Sequence, residues 1–164
     1  IKPIKQRIIH HELKPYAYQS LFFSSLKYGK LRSVFDSNIE KDLSEIKKQK
    51  VLLVVGIANP KEVIKEIRSQ TKQIETLVYP DHHHFKKSDV KEIEAKFNQL
   101  NQPIVITTEK DATRLRELNL SDELKSQLYY LPIEITFIGE EAQEKFDTQI
   151  LDHVRENQRN GRLS

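Results

Sequence analysis

Apolar positions from residue 38 onward alternate between two spacings. Val51–Val55 is an unbroken apolar run, the pattern of a strand buried on both faces. Gly56 ends it. Asn59-Pro60 then predicts a helix cap followed by proline at the first helical position, with Val63, Ile64 and Ile67 facing inward. Ile74–Tyr79 is a second strand. Ser88 predicts the cap of a helix whose stripe is Val90, Ile93, Phe97 and Leu100. Ile104–Ile106 is a third strand, and Thr108 opens a helix through about Leu118. Leu128–Leu131 and Ile133–Ile138 predict one or two further strands, interrupted at Pro132. Ala142, Phe146, Ile150 and Val154 mark a last helix, and the polar tail from Asn157 to Ser164 is expected to fray. Ahead of the first strand, Asn38 predicts the cap of a helix carrying Ile39, Leu43 and Ile46. Regular alternation of strand and helix predicts an α/β fold, a mainly parallel sheet with helices on both faces.

The first 37 residues follow a different pattern. Ile4, Ile8, Ile9 and Leu13 recur at helical spacing after Pro3 and predict a short amphipathic helix. Tyr16–Phe35 is rich in aromatic and β-branched residues and is punctuated by Tyr28-Gly29-Lys30, which predicts a β-hairpin turning near Gly29. An isolated hairpin is marginal in water. It either connects two bodies or forms the edge of the domain's own sheet. The expected organisation is therefore 1–37 as helix and ribbon and 38–164 as the α/β domain.

Composition narrows the class. The hydrophobic share of 37% with 31% charged residues suits a globular domain with a modest core. A net charge of +3, from 27 basic and 24 acidic residues, is too balanced to point to nucleic acid. The absence of cysteine excludes disulfides and thiolate zinc sites. No apolar run approaches the roughly 18–20 residues that span a bilayer, and no charged-then-apolar leader opens the chain. The chain starts at Ile1 and contains no methionine, so it reads as a piece of a longer polypeptide.

Three predicted strands end in polar, loop-forming clusters, and in an open parallel sheet ligands bind outside the carboxyl ends of the strands. Gly56 leads into a helix N-terminus, which suits either an anion or simply a tight turn. A single glycine is no dinucleotide fingerprint, and the chain contains no G-x-x-x-x-G-K-[ST] phosphate loop. Asp81-His82 sets a carboxylate beside an imidazole, a pair that can hold a tautomer or position a hydroxyl for deprotonation. Three consecutive histidines invite a metal, but adjacent residues diverge and no matching ligand spacing recurs, so no metal site is assigned. His83 and His84 read as solvated loop. Thr108 and Asp111 fit capping-box spacing, and Glu109 suits the positive helix end. Lys110 opposes the dipole, at about 0.3–1 kcal/mol when exposed. It is therefore expected to meet an anion or a carboxylate.

Taken in order, Gly56-Ile57-Ala58-Asn59-Pro60, Pro80-Asp81-His82-His83 and Thr107-Thr108-Glu109-Lys110-Asp111-Ala112-Thr113-Arg114-Leu115 resemble the C-terminal half of tetraacyldisaccharide 4'-kinase, the lipid A 4'-kinase of Gram-negative bacteria. The resemblance runs from the hairpin to about Leu131. It implies a Rossmann-like domain joined by a β-ribbon to an N-terminal P-loop domain. The two would close on a cleft in which the γ-phosphoryl of ATP passes, with Mg2+, to the 4'-hydroxyl of a lipid-linked disaccharide. It places Asp81 and His82 at that cleft as catalytic, with His82 assisting an aspartate base of the other lobe. It makes Gly56, Asn59, Thr108, Glu109, Lys110 and Asp111 nucleotide-binding or cleft-lining. The P-loop, its magnesium carboxylates and a membrane-associating N-terminal helix have no counterpart in these 164 residues. The resemblance thus implies a part inactive alone that binds neither ATP nor Mg2+ tightly, within a parent held at the cytoplasmic face of the bacterial inner membrane. Two further readings of the residues remain, a non-enzymatic α/β interaction module and a metal-dependent phosphoesterase using the histidines.

Overall fold

The structure is a computed structural model and describes residues 2–160. In chain order its elements are α1 (Pro3–Leu13), β1 (Ser24–Tyr28), β2 (Leu31–Ser33), β3 (Glu40–Lys41), a 3-10 turn (Leu43–Lys48), β4 (Val51–Val55), α2 (Lys61–Gln70), β5 (Ile74–Val78), α3 (Lys87–Gln99), β6 (Ile104–Thr108), α4 (Glu109–Arg116), α5 (Asp122–Gln127), β7 (Leu128–Leu131), β8 (Ile133–Phe137) and α6 (Ala142–Asn160). The chain divides into two compact units, one formed by Tyr28–Ile133 and the other by the segments on either side of it.

The central unit is the α/β domain. Its six strands lie in the order β3-β2-β7-β6-β4-β5. The four from β7 to β5 are parallel, and β2 and β3 continue the sheet antiparallel. All five residues of β4 and all five of β6 are buried. Their side chains alternate between two cores. Leu52, Val54 and Val105 pack with Val90, Ile93 and Phe97 of α3 and with Ala112, Leu115 and Leu124 of α4 and α5. Val51, Leu53, Val55, Ile104 and Ile106 pack on the other face with Ile46, Val63 and Ile67. The apolar run at 51–55 is therefore apolar at every position because both faces of the sheet are covered.

Four local expectations change. The segment after Asn38 is not a helix: the Ile39 carbonyl accepts from the Ser33 N–H, Glu40 and Lys41 pair with β2, and only the 3-10 turn follows. That turn is capped at Asp42, whose N–H donates to Glu45 Oε1 at 2.6 Å. Helix α3 begins before Ser88, because Asp89 accepts the Lys86 N–H at 2.7 Å and caps the turn from inside. Helix α5 is an additional short helix that Ser121 caps. The tail from Asn157 continues α6 to Asn160 rather than fraying, and 161–164 lie outside the described residues.

The largest correction concerns the hairpin. β1 and β2 flank Gly29 but do not pair with each other. β1 forms a two-stranded ribbon with β8, and β2 enters the large sheet between β3 and β7. Ser25 and Thr136, 111 positions apart, hydrogen-bond through their hydroxyls at 3.1 Å. Burial explains the divergence: Leu31 and Ser33 of β2 are buried, whereas β1 is exposed over its first four residues. The unit boundaries consequently differ from the expected division at 37 and 38. Residues 28–37 group with the sheet, and residues from 134 onward group with the start of the chain.

In that second unit, Phe22, Phe137 and Phe146 form an aromatic cluster with ring centroids 4.8–5.9 Å apart. None of the residues of α1 is buried. Among the described residues, no helix is long and apolar enough to cross a membrane.

Candidate functional site

Register fixes where the polar clusters fall. β4 pairs Val55 with Val78 of β5 and Leu53 with Ile106 of β6, so the three strands end side by side. Gly56 and Asp81 follow those ends and Thr108 closes β6, so all three lie on one edge of the sheet.

A buried carboxylate ties this edge together. Asp111 is fully buried in the first turn of α4. Its Oδ2 accepts the Gly56 N–H at 2.8 Å and the Thr108 hydroxyl at 2.8 Å. In return the Asp111 N–H donates to Thr108 Oγ1 at 3.1 Å, which is the predicted cap. Oδ1 has no hydrogen bond of its own, but the Arg114 guanidinium lies 3.5 Å away and balances the charge. A buried carboxylate without such partners is strongly disfavoured. Gly56 sits at a close approach. A Cβ there would lie 3.2 Å from the Cβ of His83 and 3.4 Å from Asp111 Oδ1.

Asp81 and His82 stand on top of this frame and are exposed. His82 has φ 59°, a left-handed conformation disfavoured for side chains with a Cβ. Its N–H donates to Asp81 Oδ1 at 2.9 Å. The ring is reached from α4: Lys110 Nζ lies 3.2 Å from His82 Nδ1. An ammonium only donates, so Nδ1 accepts and the neutral ring carries its proton on Nε2, 3.6 Å from Asp81 Oδ2. Lys110 therefore meets the imidazole rather than the anion or carboxylate expected. Glu109 is exposed on the same turn. Asn59 is also exposed, and its Oδ1 accepts from the Lys61 N–H at 3.3 Å, the bond expected of a cap at Asn59, with the regular helix beginning at Lys61.

The three histidines have three surroundings. His84 is exposed. His83 is not solvated loop: its side chain is only 21% exposed, and Nε2 lies 2.8 Å from Asp89 Oδ2. Its ring stacks on Tyr79 at 4.7 Å and meets Phe85 edge-on at 5.1 Å. Burial alone would push the Asp89 carboxyl up. The hydrogen bonds from His83 and the Lys86 N–H outweigh it and hold Asp89 below the ordinary carboxylate range. Burial, then the hydrogen bond to Glu92, pushes the Tyr79 phenol well up, so it stays a neutral donor. Among the described residues no three histidine, aspartate or glutamate side chains converge as a metal ion would require. A separate cavity of about 390 Å3 beside β2 is lined by Arg32, Ser33, Arg116 and Tyr130.

His83, Asp89 and Arg114 join this edge through contacts that the sequence did not assign. The i,i+3 spacing of Asp111 and Arg114 was an available signal. His83 and Asp89 are only six positions apart, but no helical or strand spacing joins them, because the loop leading into the first turn of α3 sets their approach.

A family model described as tetraacyldisaccharide-1-P 4'-kinase matches residues 5–155. The tetraacyldisaccharide 4'-kinase of Bacteroides thetaiotaomicron is 44% identical, covering 100% of this chain and 46% of that protein. The enzyme of the same name from Phocaeicola vulgatus is 40% identical over 100% of this chain and 46% of its own length. That of Flavobacterium johnsoniae is 38% identical over 93% and 41%. A crystal structure of the "apo" form of LpxK from Aquifex aeolicus in complex with ATP is similar at 17% identity and a TM-score of 0.49, over 91% of this chain and 45% of that one. The chain thus spans about half the length of the curated relatives it matches. Matched along nearly its whole length, this chain belongs to the tetraacyldisaccharide-1-P 4'-kinase family.

Proposed function

We propose that this chain is the C-terminal part of a tetraacyldisaccharide 4'-kinase that transfers the γ-phosphoryl of ATP to the 4'-hydroxyl of a tetraacyldisaccharide 1-phosphate in lipid A biosynthesis. The observation that carries the proposal is the exposed Asp81–His82 pair on the carboxyl edge, with Lys110 on its imidazole and a buried frame beneath. Phosphoryl transfer asks the protein for positioning and charge stabilisation rather than covalent chemistry. An exposed imidazole of defined tautomer on a rigid edge meets the first demand. Its Nε2–H faces outward beside Asp81, where it orients an acceptor hydroxyl or an aspartate base from the other lobe. Thr108 and Asp111 hold the Gly56 turn, and Glu109, Lys110 and Asn59 line the cleft.

The partner in this reading is a P-loop domain of the same polypeptide, and the parent works at the cytoplasmic face of the inner membrane, where its lipid substrate lies. ATP binds mainly to that domain. Mg2+ does not fit the carboxylates of this chain: Asp111 is buried against Gly56, Thr108 and Arg114, and no convergent set exists among the described residues. The metal ligands therefore belong to the P-loop domain, and the 164 residues alone phosphorylate nothing.

Steady-state kinetics on the full-length kinase test the reading. His82→Ala is expected to lower kcat by roughly 10²–10⁴-fold while changing the KM for ATP far less, because the group acts in the transition state. An unchanged kcat in a folded variant would reduce Asp81–His82 to a structural turn.

A further inference from the structure

We propose that His83 is a positioning residue for His82, clamping from below the strained backbone from which the His82 imidazole projects; the inference rests on the kinase reading of the site. His82 holds a left-handed conformation that its Cβ disfavours, so neighbouring contacts must select it. Its backbone is held by one N–H to Asp81, and its ring meets Lys110 and Asp81, all of them exposed. His83, the next residue, is fixed at three polar points. Its N–H donates to the Pro80 carbonyl at 3.2 Å and closes the turn. Its carbonyl accepts from Arg114 Nη1 at 3.0 Å. Its ring Nε2 donates to Asp89 at 2.8 Å, while the ring stacks on Tyr79 and meets Phe85 edge-on.

These contacts reach all three loops of the edge. Arg114 also faces Asp111, which holds Gly56, and Gly56 leaves no room for a Cβ against His83. Asp89 takes the His83 proton and the Lys86 N–H together, so the ring is tied to the start of α3. A carboxylate can only accept, which places the ring proton on Nε2. His83 touches no reacting atom in this arrangement; it acts through the orientation of His82.

The test is a double-mutant cycle on the full-length kinase. His83→Ala is expected to lower kcat by about tenfold to a hundredfold, the effect of misplacing a reacting group by about 1 Å. The KM for ATP stays within about twofold of wild type. His83→Gln, whose amide nitrogen reaches Asp89, restores most of the rate. Because His83 acts through His82, adding His83→Ala to His82→Ala produces no further loss. A folded His83→Ala enzyme with the wild-type rate overturns the proposal, as does a double variant slower than His82→Ala by the full single-variant factor. Should His83→Ala fail to fold, His83→Gln is compared with His83→Phe, which keeps the stack without the donor. A faster Gln enzyme supports the proposal and equal rates overturn it. A His82→Ala enzyme at the wild-type rate fails the kinase reading of the site itself, whereas a slow His82→Ala beside a fast His83→Ala fails only the positioning role.

Discussion

The two units of this chain bury their apolar residues to very different extents. In Tyr28–Ile133 the central strands β4 and β6 are wholly buried and sandwiched between two cores. In the flanking unit α1 buries nothing, and Ile4, Leu13 and Ile135 are each at least 60% exposed. The apolar positions of α6 behave likewise, with Ile150 and Leu151 about half exposed. Its main internal packing is the Phe22, Phe137 and Phe146 cluster. The contrast teaches where structure is specified tightly. The candidate site sits on the unit whose core and polar frame both over-determine it, as a preorganised site requires.

The sharpest way to break that contrast is at Asp111. Asp111→Ala is expected to cost about 3–5 kcal/mol of unfolding free energy, because it leaves Arg114 without its buried partner and the Gly56 N–H unsatisfied. Asp111→Asn, which keeps an acceptor for Gly56, should cost less, about 1–3 kcal/mol. Urea denaturation monitored by circular dichroism reads both, and a loss near zero for alanine would mean the frame does not hold the edge. Gly56→Ala comes next, at about 1–3 kcal/mol, since its methyl would press on His83 and Asp111. A neutral result there would make the glycine dispensable. The smallest effect is expected in the flanking unit. Ile8→Ser on exposed α1 should change stability by no more than about 0.5 kcal/mol. A loss of several times that in the same assay would place Ile8 in a packed interface and remove the contrast.

Much of the site was legible in the sequence because each cluster follows a strand and parallel connections align strand ends. Gly56, Asp81–His82 and Thr108–Asp111 needed only the periodicity around them, and Thr108 caps Asp111 as its three-residue spacing predicts. Lys110 was legible as a misplaced charge, but its partner was not. It meets His82, 28 positions earlier, and no pattern in α4 specifies that. His83 was misread for the same reason. A run of three histidines looks solvated until α3 brings Asp89 against the middle one.

The sequence by itself determined the alternation of strands and helices from 51 to 116, the burial of Val51–Val55 on both faces, and the gathering of three polar clusters on one edge. These follow from local periodicity and from the handedness of parallel connections, which few topologies satisfy. Only the tertiary structure decided that β1 leaves Gly29 for β8 while β2 joins β7, and that Asp111 and His83 are anchors rather than cap and loop. The strand pairings and the Asp111 frame depend on partners distant in sequence, and the His83 ring on one six positions away that the intervening turn must bring back. Strand pairing and buried ion pairs are chosen by which groups the packed core brings within hydrogen-bond distance, and no local pattern encodes that distance.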